Sequence, residues 1–358
     1  MSKTTINKAI IGWDIGGAHL KAALLDDSGE VLQVLQLPCK LWLGLDHLAI
    51  AIDNTLQAFK IAPAEAKHAV TMTGELVDLF QNRHQGVLQI STLVTKLLGK
   101  DTLFYAANAG FVALERVSAL TAYIASTNWH ASASALAMQV SDALFIDIGS
   151  TTTDIIAIAN GKVKSANLSD AARMANDSLV YTGVVRTPLM ALAQKIPFNG
   201  QLVNVAAEYF ATMADVYTLT GDLPLAENMA ETADGAEKSV EASARRIARM
   251  IGHDVEDAAL SSWRNLAYAF KHAQLQQIKQ AVLRQLSLMG DCRGLHVVGA
   301  GTGDFLVFEL AKQLGFRYKS VADLIVAKDD ATRQMAAVCF PAYAVALLLQ
   351  NQLAEKYA

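Results

Sequence analysis

Two stretches of this chain are written to one pattern. WDIGGAHLKAALLDDSGE at residues 13–30 and FIDIGSTTTDIIAIANGK at 145–162 each run from apolar residues into Asp-Ile-Gly. Each then passes through small, hydroxyl or amide-like residues into a second apolar run and closes on a Gly-containing turn. Short apolar runs broken by turns predict antiparallel strand pairs, and Asn160-Gly161 between two such runs is a strong hairpin signal. Aligning Asp14 with Asp147 also matches Gly16 with Gly149 and sets Lys21 against Asp154. A chain that repeats a device in each half is expected to fold as two related α/β halves facing a cleft. Its 358 residues suit two domains of about 150 residues each.

The remaining pattern fills in those halves. Residues 8–37 read as a strand meander, and apolar spacing at 45, 48, 49, 52, 56 and 59 predicts a helix. Strands are expected at 66–73 and 102–107, a helix at 86–98, and an Ala-rich helix around 130–140. The second half opens with ALFIDIG (143–149), TTTDIIAIA and KVKSA. Helices dominate beyond Val205, including SVEASARRIARMIG and a long stretch from about 255 to 289, and LHVVGAG (295–301) is a further strand leading into a helix from Asp304. LAENMAETADGAEKS (225–239) reads as an internal linker or exposed loop. Met335–Leu349 reads as one buried helix kinked at Pro341. The expected lobes are 1–140 and 141–330, with a C-terminal helix at 331–356 packing back on the first.

Composition removes several function classes. Hydrophobic residues make up 53% and charged ones 18%, enough for a large core, and a net charge of −4 speaks against bulk electrostatic binding of nucleic acid or membrane. No basic helix-turn-helix, signal peptide or uninterrupted apolar span is expected. Three scattered cysteines (Cys39, Cys292, Cys339) fit a reducing, cytoplasmic compartment.

Asp-x-Gly at a strand end has two chemical uses. The glycine lets backbone N–H groups approach an anion, and the carboxylate reaches a hard cation such as Mg²⁺. In the second copy Ser150, Thr151, Thr152 and Thr153 add hydroxyls, and Asp154 adds a carboxylate. One such motif is ordinary turn chemistry; two at equivalent places favour a phosphate site. A third piece, VVGAGTGD (297–304), takes a strand through a glycine-rich turn into a helix, where exposed N–H groups favour anions. It is neither Walker A nor G-x-G-x-x-G.

In this order, the two hairpins and the late glycine turn resemble the actin, sugar kinase and Hsp70 superfamily. DIGGAHLK (14–21), TMTGELVDLF (71–80), STNWHASA (126–133), DIGSTTTD (147–154), YTGVVRTP (181–188) and EYFATMADVYTLTG (208–221) together resemble its hydantoinase A/oxoprolinase-like branch. Within that branch they are similar to proteins of tetrahydromethanopterin-linked one-carbon metabolism, a group that includes a synthase of methanofuran biosynthesis. The resemblance implies a two-lobed actin-like ATPase (ribonuclease H-like) fold with duplicated phosphate hairpins around a cleft.

It also implies an ether-forming transferase. An aminomethyl-furanylmethyl diphosphate would lose diphosphate to the phenol of a γ-glutamyl-tyramine or tyrosine relative. Asp14, Asp147 and Asp154 would hold Mg²⁺, and Gly16, Gly17, Gly149, Ser150, Thr151, Thr152, Gly299, Gly301 and Gly303 would border the phosphates. Lys21 and Arg186 are the cationic candidates, while Glu75, His19 and Asp215 are candidate bases for the phenol. Blander readings accompany each. Lys21 suits a solvent-facing strand, Arg186 a loop pin, His19 a structural hairpin residue and Glu75 a helix-start carboxylate. Trp129 with His130 suits packing, Met213 with Tyr217 suits core, and Arg245, Arg246 and Arg249 suit a solvated helix face. GAGTGDF departs from the open glycine run of ATP-dependent relatives, because Thr302, Asp304 and Phe305 crowd it. The rival readings are an ATP-dependent kinase or oxoprolinase-like hydrolase, and a non-catalytic sensing subunit. A homodimer is the default assembly.

Overall fold

The computed structural model describes residues 9–165, 168–290 and 292–357. Lys8 and Ala166, the outer ends of two expected strand segments, lie outside them. β1 (Ala9–Ile15), β2 (His19–Leu25) and β3 (Val31–Pro38) form the expected meander. α1 (Leu45–Phe59), β4 (Ala66–Met72), α2 (Arg83–Leu98), β5 (Leu103–Tyr105), β6 (Phe111–Val112), α3 (Leu114–Ile124) and α4 (Asn128–Ala137) follow. The sheet order is β3-β2-β1-β4-β5-β6, with β1 antiparallel to β2 and parallel to β4. β1 reads AIIGWDI and is buried almost throughout, as a central strand covered on both faces must be. On α1 the buried positions Leu48, Ala51, Ile52, Leu56 and Phe59 repeat at helical spacing and form one core-facing stripe. Asn82 caps α2 by accepting a hydrogen bond from the Gln85 N–H.

The second half repeats the central plan. β7 (Ala143–Ile148), β8 (Thr153–Ala159), β9 (Lys162–Lys164), α5 (Asp170–Ala175) and β10 (Leu179–Val180) precede a small hairpin of β11 (Lys195–Phe198) and β12 (Gln201–Asn204). Then come α6 (Met213–Thr220), α7 (Val240–Arg249), α8 (Leu260–Ser287), β13 (His296–Ala300), α9 (Asp304–Leu314) and β14 (Arg317–Ser320). The sheet order is β10-β8-β7-β13-β14, with β9 paired to β8. The first strand of each Asp-Ile-Gly hairpin is therefore flanked by its hairpin partner on one side and by a later strand on the other. The core here is a continuous cluster from Leu144 and Ile146 through Val216, Tyr217, Trp263 and Phe270 to Leu310.

The chain closes with α10 (Asp330–Val338) and α11 (Phe340–Tyr357). The expected single helix kinked at Pro341 is instead two helices bent by 99°, broken at Cys339. Pro341 sits in the first turn of α11, where a missing N–H costs little, so it starts a helix rather than bending one. No single helix among the described residues is long and apolar enough to cross a membrane. α11 returns to β1: a side chain at Gly12 would overlap the Ala342 carbonyl and the Ala346 methyl, so glycine facing alanines lets helix and strand meet closely. Compact packing divides the chain into two units. One runs to Ala143 and adds Ala157–Arg173 and everything from Ser320; the other comprises Leu144–Ile156 and Met174–Lys319. The segment 225–239 lies wholly inside the second unit, so it is an internal loop and not a linker.

Candidate active site

The first hairpin closes where the Gly16 N–H donates to the His19 carbonyl at 3.0 Å, and Asp14 stands in register opposite Lys21. A Cβ at Gly16 would come within 2.9 Å of that carbonyl, so the turn is as tight as glycine allows. Gly17 is hemmed in by Val77, and its carbonyl accepts the Leu41 N–H. Asp14 is buried; its Oδ2 lies 3.9 Å from Lys21 Nζ, and its Oδ1 lies 3.5 Å from the Asn128 amide nitrogen. Thr71, beside Asp14 in register on β4, is fully buried, and its hydroxyl meets no hydrogen-bond partner among the described residues. His19, at the start of β2, is half-buried.

Glu75 belongs to the same unit and lies in the first turn of a short 3₁₀ helix, Gly74–Leu76, in keeping with its reading as a helix-start carboxylate. It is 1% exposed. Ser126 Oγ donates to Glu75 Oε1 at 2.7 Å, while Oε2 meets no partner among the described residues. Ser126 holds this position with φ at +52°, a strained backbone for a residue with a side chain. α2 lies so close that a Cβ at Gly86 would fall 2.8 Å from the Glu75 backbone. Burial pushes the Glu75 carboxyl up to about 7, against the opposing pull of Ser126 and the Arg83 charge. Trp129 and His130 are interior, as their packing reading expected. The Arg173 guanidinium lies 3.9 Å over the Trp129 ring, and burial with that charge pulls His130 down to about 4.

In the second unit the Gly149 N–H donates to the Thr152 carbonyl at 2.9 Å. Counted outward from this bond as Asp14 is counted from the first, Asp147 stands opposite Asp154. Asp147, Gly149, Ser150, Thr151, Thr152 and Asp154 are all partly exposed. The loop 182–187, from the YTGVVRTP motif, presses on this turn from beneath. Val184 N–H donates to the Gly149 carbonyl at 3.0 Å, and Val185 and Arg186 N–H donate to the Ser150 carbonyl at 3.1 and 2.9 Å. A Cβ at Gly183 would sit 2.5 Å from the Ser150–Thr151 backbone, so only glycine fits. The Arg186 backbone is thereby anchored beside the turn while its side chain stays exposed. Gly183 and Thr187 were missed as positioning residues; the glycine inside that motif was the available signal.

The glycine-rich turn packs closely on its neighbours. Gly301 has φ at +82°, and side chains at Gly299, Gly301 and Gly303 would strike the Asp304 carboxylate, the Asp147 carboxylate and Ile148 respectively. The Gly303 N–H donates to the Ile148 carbonyl and the Asp304 N–H to the Gly301 carbonyl, so both are already engaged. Each glycine is thus accounted for by close packing, and the turn braces the second hairpin. Glu227 of the 225–239 loop bonds the Thr302 hydroxyl, and burial raises its carboxyl. That loop is fastened by Arg246, which corrects the solvated-face reading of this residue. Arg246 is 0% exposed; Nε donates to Asp215 Oδ1 at 2.7 Å, and Nη1 to Asp234 Oδ1 and the Glu237 carbonyl at 3.1 Å each. Asp215 also accepts the Thr212 N–H in the capping box of α6, so its carboxylate is committed to structure. Met213 and Tyr217 are core, as expected.

Comparison with known proteins places these features in a lineage. The chain is 29% identical over 348 residues to a Methanocaldococcus jannaschii protein named (4-{4-[2-(gamma-L-glutamylamino)ethyl]phenoxymethyl}furan-2-yl)methanamine synthase, covering 96% of this chain and 98% of that one. It is 29% identical over 214 residues to the Methanococcus vannielii protein of the same name, covering 60% of this chain and 93% of that one. Among solved structures, a nucleotide-free acetone carboxylase matches with a TM-score of 0.59 at 11% identity, over 87% of this chain and 68% of that one. The fold is α/β and of the actin-like ATPase class. The hydantoinase/oxoprolinase family matches residues 67–328, a span holding Glu75, the second hairpin, its clamp and the glycine-rich turn, and the chain belongs to that family.

Proposed function

We propose that this protein is a transferase of methanofuran-type biosynthesis that joins an aminomethyl-furanylmethyl diphosphate to the phenol of a γ-glutamyl-tyramine, releasing diphosphate. The observation that carries the reading is the end-to-end similarity to the synthase from M. jannaschii, whose name specifies a phenoxymethyl-furan ether. The second hairpin supports it with suitable chemistry. Opposed carboxylates at Asp147 and Asp154, beside three partly exposed hydroxyl residues and the exposed Arg186, form a donor set suited to a magnesium diphosphate. Among the described residues no group of three or more His, Cys, Asp or Glu side chains gathers as a metal cage. Mg²⁺ shared with phosphate needs only one or two carboxylates, so Asp147 and Asp154 fit it. When bound, the ion would neutralise charge growing on the leaving group.

The chain's own residues account for the rest. Arg186 offers a fork of donors to phosphate oxygens, and Ser150, Thr151 and Thr152 border them. The phenol oxygen attacks the furanylmethyl carbon, the carbon–oxygen bond to diphosphate breaks with its electron pair leaving on diphosphate, and the phenolic proton passes to a base. Of the three candidates Asp215 is committed elsewhere, and Glu75 titrates near neutrality, where a base for this step is effective. Asp14 and Lys21 form a charge pair of the first unit. We place the protein in the cytoplasm, with Mg²⁺ as cofactor and a homodimer as its assembly.

The test supplies purified protein with Mg²⁺, a furanylmethyl diphosphate and γ-glutamyl-tyramine, and runs ATP in a parallel reaction. Pyrophosphate together with the coupled ether supports the reading, the more so if Asp147→Ala abolishes both. ADP appearing only with ATP returns the protein to the kinase or hydrolase class. A phosphate compound bound without turnover points to a sensing subunit.

A further inference from the structure

Gln274 lies near the middle of the 28-residue helix α8 and is 0% exposed. A buried polar side chain in a long core helix is unfavourable unless its amide is satisfied. Here it is satisfied by one loop and one helix. Gln274 Nε2 donates to Thr182 Oγ1 at 2.8 Å and to the Gly183 carbonyl at 2.9 Å, and Tyr217 OH of α6 donates to Gln274 Oε1 at 2.5 Å. Two further hydroxyls complete the arrangement. Thr153 Oγ1 donates to the Thr182 carbonyl at 2.6 Å, and Thr187 Oγ1 accepts the Gly183 N–H at 2.7 Å. All six residues are buried. None of these contacts belongs to a regular ladder, and all but the Tyr217–Gln274 bond fall on Thr182 and Gly183, the two residues that precede the Val184–Arg186 amides.

We infer that Gln274 and Tyr217 are positioning residues for the second hairpin, holding loop 182–187 at the height at which it supports the 149–152 turn and the Arg186 head. The inference deepens the proposed function and rests on it for the identity of what the turn receives. An apolar residue in place of Gln274 fills the same space but leaves the Thr182 and Tyr217 hydroxyls with no buried partner and the Gly183 carbonyl with only the Thr187 hydroxyl, which donates to it at 2.9 Å. The loop then has less reason to stay pressed against the turn, even where the core remains packed. Leu or Met at 274 would satisfy packing as well as Gln does, so a glutamine here serves the loop and not the helix.

The experiment compares Gln274→Met, Tyr217→Phe and Ile278→Val with the wild-type chain. Ile278 is a fully buried core residue one turn further along α8 and controls for general loss of stability. Two readouts are used: amide hydrogen exchange at Val184, Val185 and Arg186, and calorimetric binding of inorganic pyrophosphate with Mg²⁺. Gln274→Met is expected to speed exchange at those three amides at least tenfold and to weaken pyrophosphate binding about tenfold. In turnover it should raise KM for the diphosphate substrate and leave KM for the phenol unchanged. Tyr217→Phe, which removes one hydroxyl and little volume, should move the same readouts less, and Ile278→Val should move neither. Exchange at 184–186 that stays as slow as in the wild type, in variants whose melting temperature falls, would reduce the network to a core feature and overturn the inference. Faster exchange with unchanged pyrophosphate affinity would overturn it too. A wild-type chain that binds no pyrophosphate sinks the proposed function itself, and the assignment of this loop to a ligand falls with it.

Discussion

In the first hairpin Asp14 is buried and faces Lys21 across the strand pair; in the second, Asp147 and Asp154 take those positions and both stay partly exposed. The backbones are the same device, each closed by a glycine N–H bonded to a carbonyl three residues on. What differs is charge. The first pair brings opposite signs together, while the second sets two carboxylates at the equivalent places. The supports differ as well: the first turn is met by Leu41, whose N–H donates to the Gly17 carbonyl, and by Val77, whereas the second is held by the 182–187 loop through Gly183 and braced by Gly301. The two hairpins thus share a backbone and differ in side chains, and it is the second that the proposed function gives to a cation with its anion.

The largest effect should come from writing the first pair into the second. Asp154→Lys is expected to lower Mg²⁺-dependent turnover by on the order of 10²–10³-fold, as loss of a group that stabilises developing charge does. Lys21→Met, which removes a partly exposed cation, should change stability by less than about 1 kcal/mol. Equal losses of activity in the two variants would break the contrast between the hairpins.

Gly183→Ala comes next. Its new methyl meets rigid backbone at 2.5 Å, so urea unfolding should show a loss of about 1–3 kcal/mol. An unchanged midpoint would mean that the clamp yields without cost.

The pH dependence of the first unit gives a third comparison. Glu75 has its folded pKa raised to about 7 by burial, above the ordinary value near 4.3. The folded state therefore holds a proton that the unfolded state gives up over that window, and stability falls as pH rises toward 7. Glu75→Gln removes this dependence. Its melting temperature should gain a few degrees relative to the wild type on going from pH 5 to pH 8. If Glu75 is also the base, the wild-type rate rises through about pH 7 and the variant's does not. Parallel melting curves would place the Glu75 carboxyl back in the normal range.

The smallest effect separates the two turns at their own glycines. A methyl at Gly16 meets the His19 carbonyl at 2.9 Å, whereas one at Gly149 finds nothing nearer than 3.6 Å. Gly16→Ala should cost about 1 kcal/mol and Gly149→Ala less than about 0.5. The reverse order, read from thermal unfolding, would show that the second turn is the tighter one.

Local pattern alone determined the hairpins, most helices and the hydrophobic core, because alternation and 3.6-residue spacing act through neighbours along the chain. The Asp-Ile-Gly copies, the Asn160-Gly161 turn and the core status of Met213 and Tyr217 were legible for that reason. The break at Cys339 was not, since Pro341 serves equally well as a kink or as a first-turn residue until the neighbouring helix is in place. Arg246 reads as a surface cation within a basic run, and Asp215 as a free carboxylate. Folding buries the two together and sets Asp234 of the 225–239 loop against Arg246, across a separation no local period encodes. The glycine-rich turn VVGAGTGD is legible in sequence, but only tertiary structure shows that Asp304, Asp147 and Ile148 stand where side chains on its glycines would be. Gln274 and Gly183 carry no local signal of their partnership. Long-range satisfaction of buried polar groups decided the second turn's support, because a buried amide must find its partners wherever the fold delivers them.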